Sequence, residues 1–201
     1  MTTPRLLGPG GAGLRPSADL AEARALLTAW APPSADQAAV RDRMVAFVDG
    51  HGDALDRSCA PGHLTGSAFV VDAAGERALL LRHTKLRRWL QPGGHADGDA
   101  NLAHVAWREA TEETGIAGLT VVVPPLDVDV HRVEPPGEAP HDHLDVRFLV
   151  VAPPGAAPIG NHESEALRWV TADELEALAD EEGLRRLATA GFALARRLLR
   201  S

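Results

Sequence analysis

Residues 91–115, QPGGHADGDANLAHVAWREATEETG, set a glycine-rich loop before a helical segment that carries Glu109, Glu112 and Glu113. At about 100° per residue, with Leu102 at zero, Ala106 lies near 40° and Ala110 near 80°, which makes an apolar stripe. Glu109 then falls at about 340°, Glu113 at about 20° and Glu112 at about 280°, so the acids overlap the stripe instead of opposing it. On a solvated face, such pairs lose a few tenths of a kcal/mol by repulsion. Turned toward a core, each unpaired carboxylate costs several kcal/mol. A cation resolves both problems, and hard oxygen ligands at this density suit Mg²⁺ or Mn²⁺. The plainer reading is a charged helix face with Arg108 as counter-ion. Gly93, Gly94 and Gly98 weigh against it, because they let backbone approach a ligand and leave polar groups near a helix start, where phosphate binds.

The flanking segments set this loop and helix in a mixed core. HLTGSAFVVDAAGERALLLRH predicts two strands, 64–72 and 77–83, joined by AAGE. LTVVVPPLDVDVHRV predicts strands on either side of Pro124–Pro125, HLDVRFLVVA another, and LRWV a short one. Thr171 caps a helix, and a last helix covers about 184–200 with arginines near its end, as the macrodipole favours. Ahead of the core, residues 1–16 are rich in Gly and Pro and read as a flexible tip. Residues 17–60 form a helical lead-in, with Ser17 capping a helix to Trp30 and Ser34 or Asp36 starting a second. The catalytic-type domain is then 61–201.

Composition narrows the partners. The net charge is −8, which disfavours nucleic acid and anionic membranes but admits an anionic substrate where a metal reverses the local sign. Cys59 is the only cysteine, so nothing points to an oxidising compartment. The N-terminus lacks the apolar run of a signal peptide, and a cytoplasmic location is expected. With four Phe, four Trp and no Tyr, the core is expected to be aliphatic.

Gly94, thirteen residues, then Arg108-Glu109-Ala110-Thr111-Glu112-Glu113-Thr114-Gly115-Ile116 resembles the Nudix box, G-x5-E-x7-R-E-U-x-E-E-x-G-U. Every fixed position matches except the first Glu, which is Ala100. GHLTGSAFVVD, KLRRWLQPGGH and HLDVRFLV look like a bacterial subgroup of the same superfamily. The resemblance implies an α/β/α sandwich around a mixed β-sheet, preceded here by the helical lead-in. It implies hydrolysis of a nucleoside diphosphate linked to another moiety, with Mg²⁺ or Mn²⁺ polarising a phosphoryl oxygen and a carboxylate accepting the proton of water. On this chain Glu109, Glu112 and Glu113 would be metal-binding acids, the Gly93 carbonyl a further ligand, and Arg108 a partner that orients a glutamate. Glu112, Glu163 and Glu165 are the candidates for the base. Asp99, close to Ala100, is placed to substitute for the missing acid or to cap the helix.

Around that centre, His141, His143, Asp145 and Arg147 alternate with apolar residues and so share one strand face. His143 and Arg147 are candidate contacts to substrate phosphate or sugar, and His95 borders the phosphate site. The same histidines, with His83 or His95, are also a candidate second metal site of the zinc type. Lys85 is a candidate for steering the anion and Trp89 for stacking on a base. The plainer reading of these is a solvated loop, a solvated strand face or a packing Trp. A competing function is a catalytically weak or inactive Nudix-fold nucleotide sensor, which loss of several box glutamates would mark. Pairing with a second copy of the chain is left open.

Overall fold

The alternation in GHLTGSAFVV governs the middle of the molecule. The computed structural model describes residues 3–135, 137–161 and 164–199. In chain order the elements are β1 (Arg5–Leu7), a 3-10 turn (Ala12–Leu14), α1 (Leu20–Ala29) and α2 (Ala35–Gly50). Then come β2 (Gly62–Val71), β3 (Ala78–His83), β4 (Trp89–Leu90), β5 (Gly93–His95) and α3 (Leu102–Thr114). β6 (Thr120–Val133), β7 (His141–Val151), β8 (Ser164–Val170), α4 (Ala172–Leu178) and α5 (Glu182–Leu199) complete it. The sheet order is β1-β6-β7-β2-β3-β4, with β5 also on β2 and β8 on β3. β2 and β7 run parallel over ten paired residues, from Gly62↔Asp142 to Val71↔Val151, and the other pairs are antiparallel.

Every residue of β2 is buried, and its period of two divides them between two cores. Leu64, Ala68 and Val70 join Leu27, Met44, Leu102, Val105 and Phe148 on the side of α1, α2 and α3. Phe69 and Val71 join Leu80, Leu149, Leu187 and Phe192 on the side of α4 and α5. The result is the expected α/β/α sandwich around a mixed sheet. Close approach depends on small residues: a Cβ on Gly66 would come within 3.0 Å of Val105, and one on Gly191 within 2.3 Å of the Phe69 ring.

Local ends follow the predicted chemistry, with three departures. Ser34 caps α2 and Thr171 caps α4 in a reciprocal capping box with Glu174, while Gly115 closes α3 at φ 66°. α1 instead starts at Asp19, whose side chain accepts from the Ala21 N–H, because Ser17 is tied elsewhere. The strand through Pro124–Pro125 is continuous: the β6–β7 register slips between Val122 and Asp127, and a bulge houses residues that cannot donate to a ladder. The third departure concerns residues 1–16, expected to be loose. Arg5–Leu7 pairs with Val121–Val123, since β6 would otherwise leave an open edge. Among the described residues no helix is long and apolar enough to cross a membrane.

Gly191→Ala is expected to destabilise the fold. Its helix-propensity gain of about 1 kcal/mol is outweighed by overpacking against Phe69, which typically costs about 1–3 kcal/mol. A lower urea midpoint at unchanged m-value is the readout.

Candidate active site

Toward the start of β2, the face that packs on α5 turns from apolar to polar. Register lines up three rows across the sheet: Ser67, Arg147 and Asp127; then Thr65, Asp145 and Asp129; then His63, His143 and His131. On the other side of β2, His95 pairs with Thr65 and Gly93 with Ser67. Thr65, Ser67, His131, His143, Asp145 and Arg147 of these rows wall one part of a pocket of about 600 Å³, and Gly93, Gly94, Glu109 and Glu113 wall another.

The glycine pair is required by space. A Cβ on Gly93 would lie 2.4 Å from Ser67 Oγ, and one on Gly94 would lie 2.5 Å from the Glu109 carboxylate. The bare backbone therefore runs between β2 and the acids of α3. The Gly93 N–H donates to Glu113 Oε2 at 2.9 Å. Arg108 Nη2 donates to Glu109 Oε1 at 2.7 Å and to the His95 carbonyl at 2.8 Å, which fixes the helix acid to the loop. Glu109 and Glu113, one turn apart, thus face the pocket together. Both are hard oxygen donors on a rigid helix beside open backbone, and this set fits a small divalent cation.

The remaining predicted residues divide. Glu112, about 60–100° round the helix, is exposed and outside the pocket lining, and its carbonyl accepts from Asn161 Nδ2 at 3.4 Å. Glu165 is exposed on β8 with Arg82 Nε at 3.6 Å, and Glu163 lies outside the described residues. Lys85, His95 and His143 line the pocket. Trp89 does not; it packs against the α5-side core. Arg147 reaches the lining, but its guanidinium is committed: it donates to Asp145 at 2.7 Å, Asp129 at 3.0 Å and Asp127 at 3.3 Å. A further bond from Nη1 to the Gly183 carbonyl at 3.2 Å takes a fourth of its five N–H groups, so as a substrate contact Arg147 has at most one to offer a phosphate.

Ala100 is 1% exposed, with no room for a longer acid. Its N–H donates to the Ser17 carbonyl at 2.6 Å, and Asp99 Oδ1 accepts from the Ser17 N–H at 3.0 Å. Asp99 Oδ2 lies 2.6 Å from His104 Nδ1, so Asp99 braces the lead-in and does not replace the missing Glu. The cap is Asn101, whose side chain also donates to the Gly13 and Arg15 carbonyls.

Sequence reasoning passed over His63, Arg57 and the Asp127–Asp129–His131 series. The signal was the same alternation already noted on β7, repeated in HLTGS and LDVDVH. Burial, then the neighbouring His95 and His141, pushes His63 down to about 4; burial, then His131 and His95, pushes His143 down to about 3. Both rings are neutral at neutral pH. His131 goes the other way: burial would lower it, but the hydrogen bond to Asp129 and the charge of Asp145 raise it against Arg147. For Asp129, burial would raise the carboxyl, and His131, Arg147 and Arg186 together hold it well below the usual range.

Comparison with known proteins follows this geometry. The family model described as the NUDIX domain matches residues 63–190, which begin within β2 and end within α5. Phosphatase NudJ of Escherichia coli is 33% identical over 113 residues, spanning 54% of this chain and 68% of that protein. A NUDIX-family hydrolase from Clostridium perfringens superposes with a TM-score of 0.54 at 24% identity, over 66% of this chain and 97% of that one. A C. elegans Ap4A hydrolase in a binary complex gives 0.51 at 21%, over 67% and 98%. At these identities the two structures show the fold alone.

Arg147→Met is expected to cost about 3–5 kcal/mol, since it leaves buried carboxylates uncompensated; denaturant unfolding measures it. For His131, protonation stabilises the fold, so its contribution is complete below pH 6.5 and is lost as pH rises through the raised value. The stability gap between the natural chain and His131→Gln should therefore shrink between about pH 5.5 and about pH 8.5, one unit below and two above the ordinary histidine value.

Proposed function

The chain belongs to the Nudix family, and from that premise we propose that it is a divalent-metal-dependent hydrolase that cleaves the phosphoric anhydride of a nucleoside diphosphate linked to another moiety. The observation that carries this reading is the pairing of Glu109 and Glu113 against the side-chain-free backbone of Gly93 and Gly94, at the wall of a pocket of about 600 Å³. Likeness to the E. coli relative, a phosphatase, supports phosphate chemistry.

Glu109, Glu113 and the Gly93 carbonyl would hold Mg²⁺ or Mn²⁺. When bound, such an ion supplies Lewis acidity toward a phosphoryl oxygen and offsets charge that builds on the leaving phosphate. The chain's own residues do the positioning. Arg108 holds Glu109 in register with the loop, and Glu113 is held by the Gly93 N–H. Lys85 and Arg57 line the same pocket and draw in an anion that the overall charge of −8 would repel. The proton of the attacking water falls to a carboxylate, for which Glu112, Glu163 and Glu165 are the candidates. Of these, Glu165 is paired with Arg82 Nε at 3.6 Å.

Nucleoside triphosphates, dinucleoside polyphosphates, ADP-ribose and nucleotide sugars, each with Mg²⁺ or Mn²⁺, are the substrates to screen. Turnover of at least one is expected, and binding without turnover of any would leave a nucleotide sensor in place of an enzyme. Glu109→Gln and Glu113→Gln are each expected to lower kcat by at least about a hundredfold, the scale of losing a group that acts on the reacting centre. Gly94→Ala should behave likewise through displacement of Glu109.

A further inference from the structure

Beside the carboxylate pair, the pocket holds a second cluster of different chemistry. His63 on β2, His143 on β7 and His95 on β5 each offer a ring nitrogen, and these three atoms lie within 4.8 Å of one another. The rings pack as a closed set: the centroids are 4.8 Å apart for His63 and His95, 5.0 Å for His63 and His143, and 5.2 Å for His95 and His143. The backbone fixes this set. His63 and His143 are direct partners in the parallel ladder, and His95 stands on the opposite neighbour of β2, one pair along.

The cluster is not explained by packing. His63 is 1% exposed, and neither Nδ1 nor Nε2 has a hydrogen-bond partner. His143 Nε2 is also buried without one. A neutral imidazole always carries one N–H and one lone pair, so His63 buries both with nothing to receive them, at a typical cost of about 1–3 kcal/mol per group. Apolar residues of the same size would avoid that cost, as they do further along the same face at Phe69 and Val71.

We propose that His63, His95 and His143 form a transition-metal site of the zinc class, separate from the hard-cation site at Glu109 and Glu113. Three imidazoles are the donor set of an open tetrahedral zinc centre, in which a fourth position is left to water or to an oxygen of a ligand. Here the fourth position faces the pocket, because His95 and His143 line it. Metal–nitrogen bonds of about 2.0–2.1 Å place ligand nitrogens about 3.4 Å apart, so small ring rotations close the set from the spacing seen. Two further imidazoles pack against the set. The His131 ring, 5.5 Å from that of His143, is anchored through Nδ1 to Asp129 Oδ2 at 3.0 Å. The His141 ring lies 4.9 Å from that of His63, with Nδ1 2.9 Å from the Ala139 carbonyl. Asp145, one row below, puts a carboxylate on the same face to offset the ion's charge.

The inference does not depend on the hydrolase reading, and the test keeps the two apart. The full-length chain, stripped with chelator, is titrated with Co²⁺ and then Zn²⁺. Co²⁺ reports four-coordinate geometry by intense visible absorption, and equilibrium dialysis with elemental analysis gives the zinc stoichiometry. The expected result is one tight Zn²⁺ per chain, a four-coordinate Co²⁺ spectrum, and both retained in the Glu109→Gln/Glu113→Gln double variant. His95→Ala, whose side chain borders open pocket, should abolish the spectrum and weaken Zn²⁺ by at least about tenfold, the lower bound seen even for residues that only support a ligand. Should His63→Ala or His143→Ala fail to fold, the spectrum of the natural chain and the His95 variant still decide. Six-coordinate Co²⁺ only, loss of binding in the glutamate variant, or unchanged zinc affinity in His95→Ala would each overturn the proposal.

Discussion

The close approach of the β5 backbone to both β2 and α3 is the constraint on which the site depends. Gly94 stands where any side chain would enter the Glu109 carboxylate, and Gly93 where one would enter Ser67. That absence of side chains lets a helix on one face of the sheet present its acids to a pocket opening on the other. It also turns a repulsive arrangement into a functional one. Glu109 and Glu113 are held by Arg108 and by a backbone N–H instead of being left to swing apart in solvent.

Two anchoring schemes support that approach, and they use opposite physics. Below the pocket, Arg147 and Arg186 share Asp127 and Asp129 in a buried network, with Asp145 bound also by Thr65 and Ser67. Such a network gives little net stability, but it is intolerant of rearrangement and so fixes the floor. Above, the lead-in holds the loop largely through backbone groups: Ser17 on Asp99 and Ala100, Leu55 on Gly98, and Arg57 on Asp97. The lead-in closes over the position where the family signature carries its first glutamate, through the Ala100 N–H to the Ser17 carbonyl. Ala100 is the residue that lets the clasp close.

Much of this was legible in the sequence, because period and spacing are local. The two faces of β2 and β7, the caps at Ser34 and Thr171, the stop at Gly115 and the acids of α3 all follow from neighbours within a few residues. What escaped depended on distant partners. Arg147 reads as an exposed cation on a polar strand face until β6 brings Asp127 and Asp129 beside it. Arg5–Leu7 is too short for any periodicity, and only the free edge of β6 makes it a strand. The proline pair reads as a break, and tertiary pairing converts it into a bulge. His63 shows the limit most clearly: its alternation with Thr65 and Ser67 was visible, but its importance comes from two strands far along the chain.

The pairing of Arg5 with Val123 has a consequence for synthesis. As the ribosome delivers the chain, the Arg5–Leu7 strand finds its neighbour only after Val121–Val123 has emerged, far along the sequence. Ser17 likewise waits for Asp99 and Ala100. These segments therefore dock long after they are made, and long-range closure of this kind slows folding. In the interval the helical lead-in exposes Leu27, Trp30 and Met44, side chains bound for a core not yet built. Holding that segment in solution until its partners arrive is a task for a chaperone or for speed, and the arginines and acids spaced along α1 and α2 keep it soluble meanwhile.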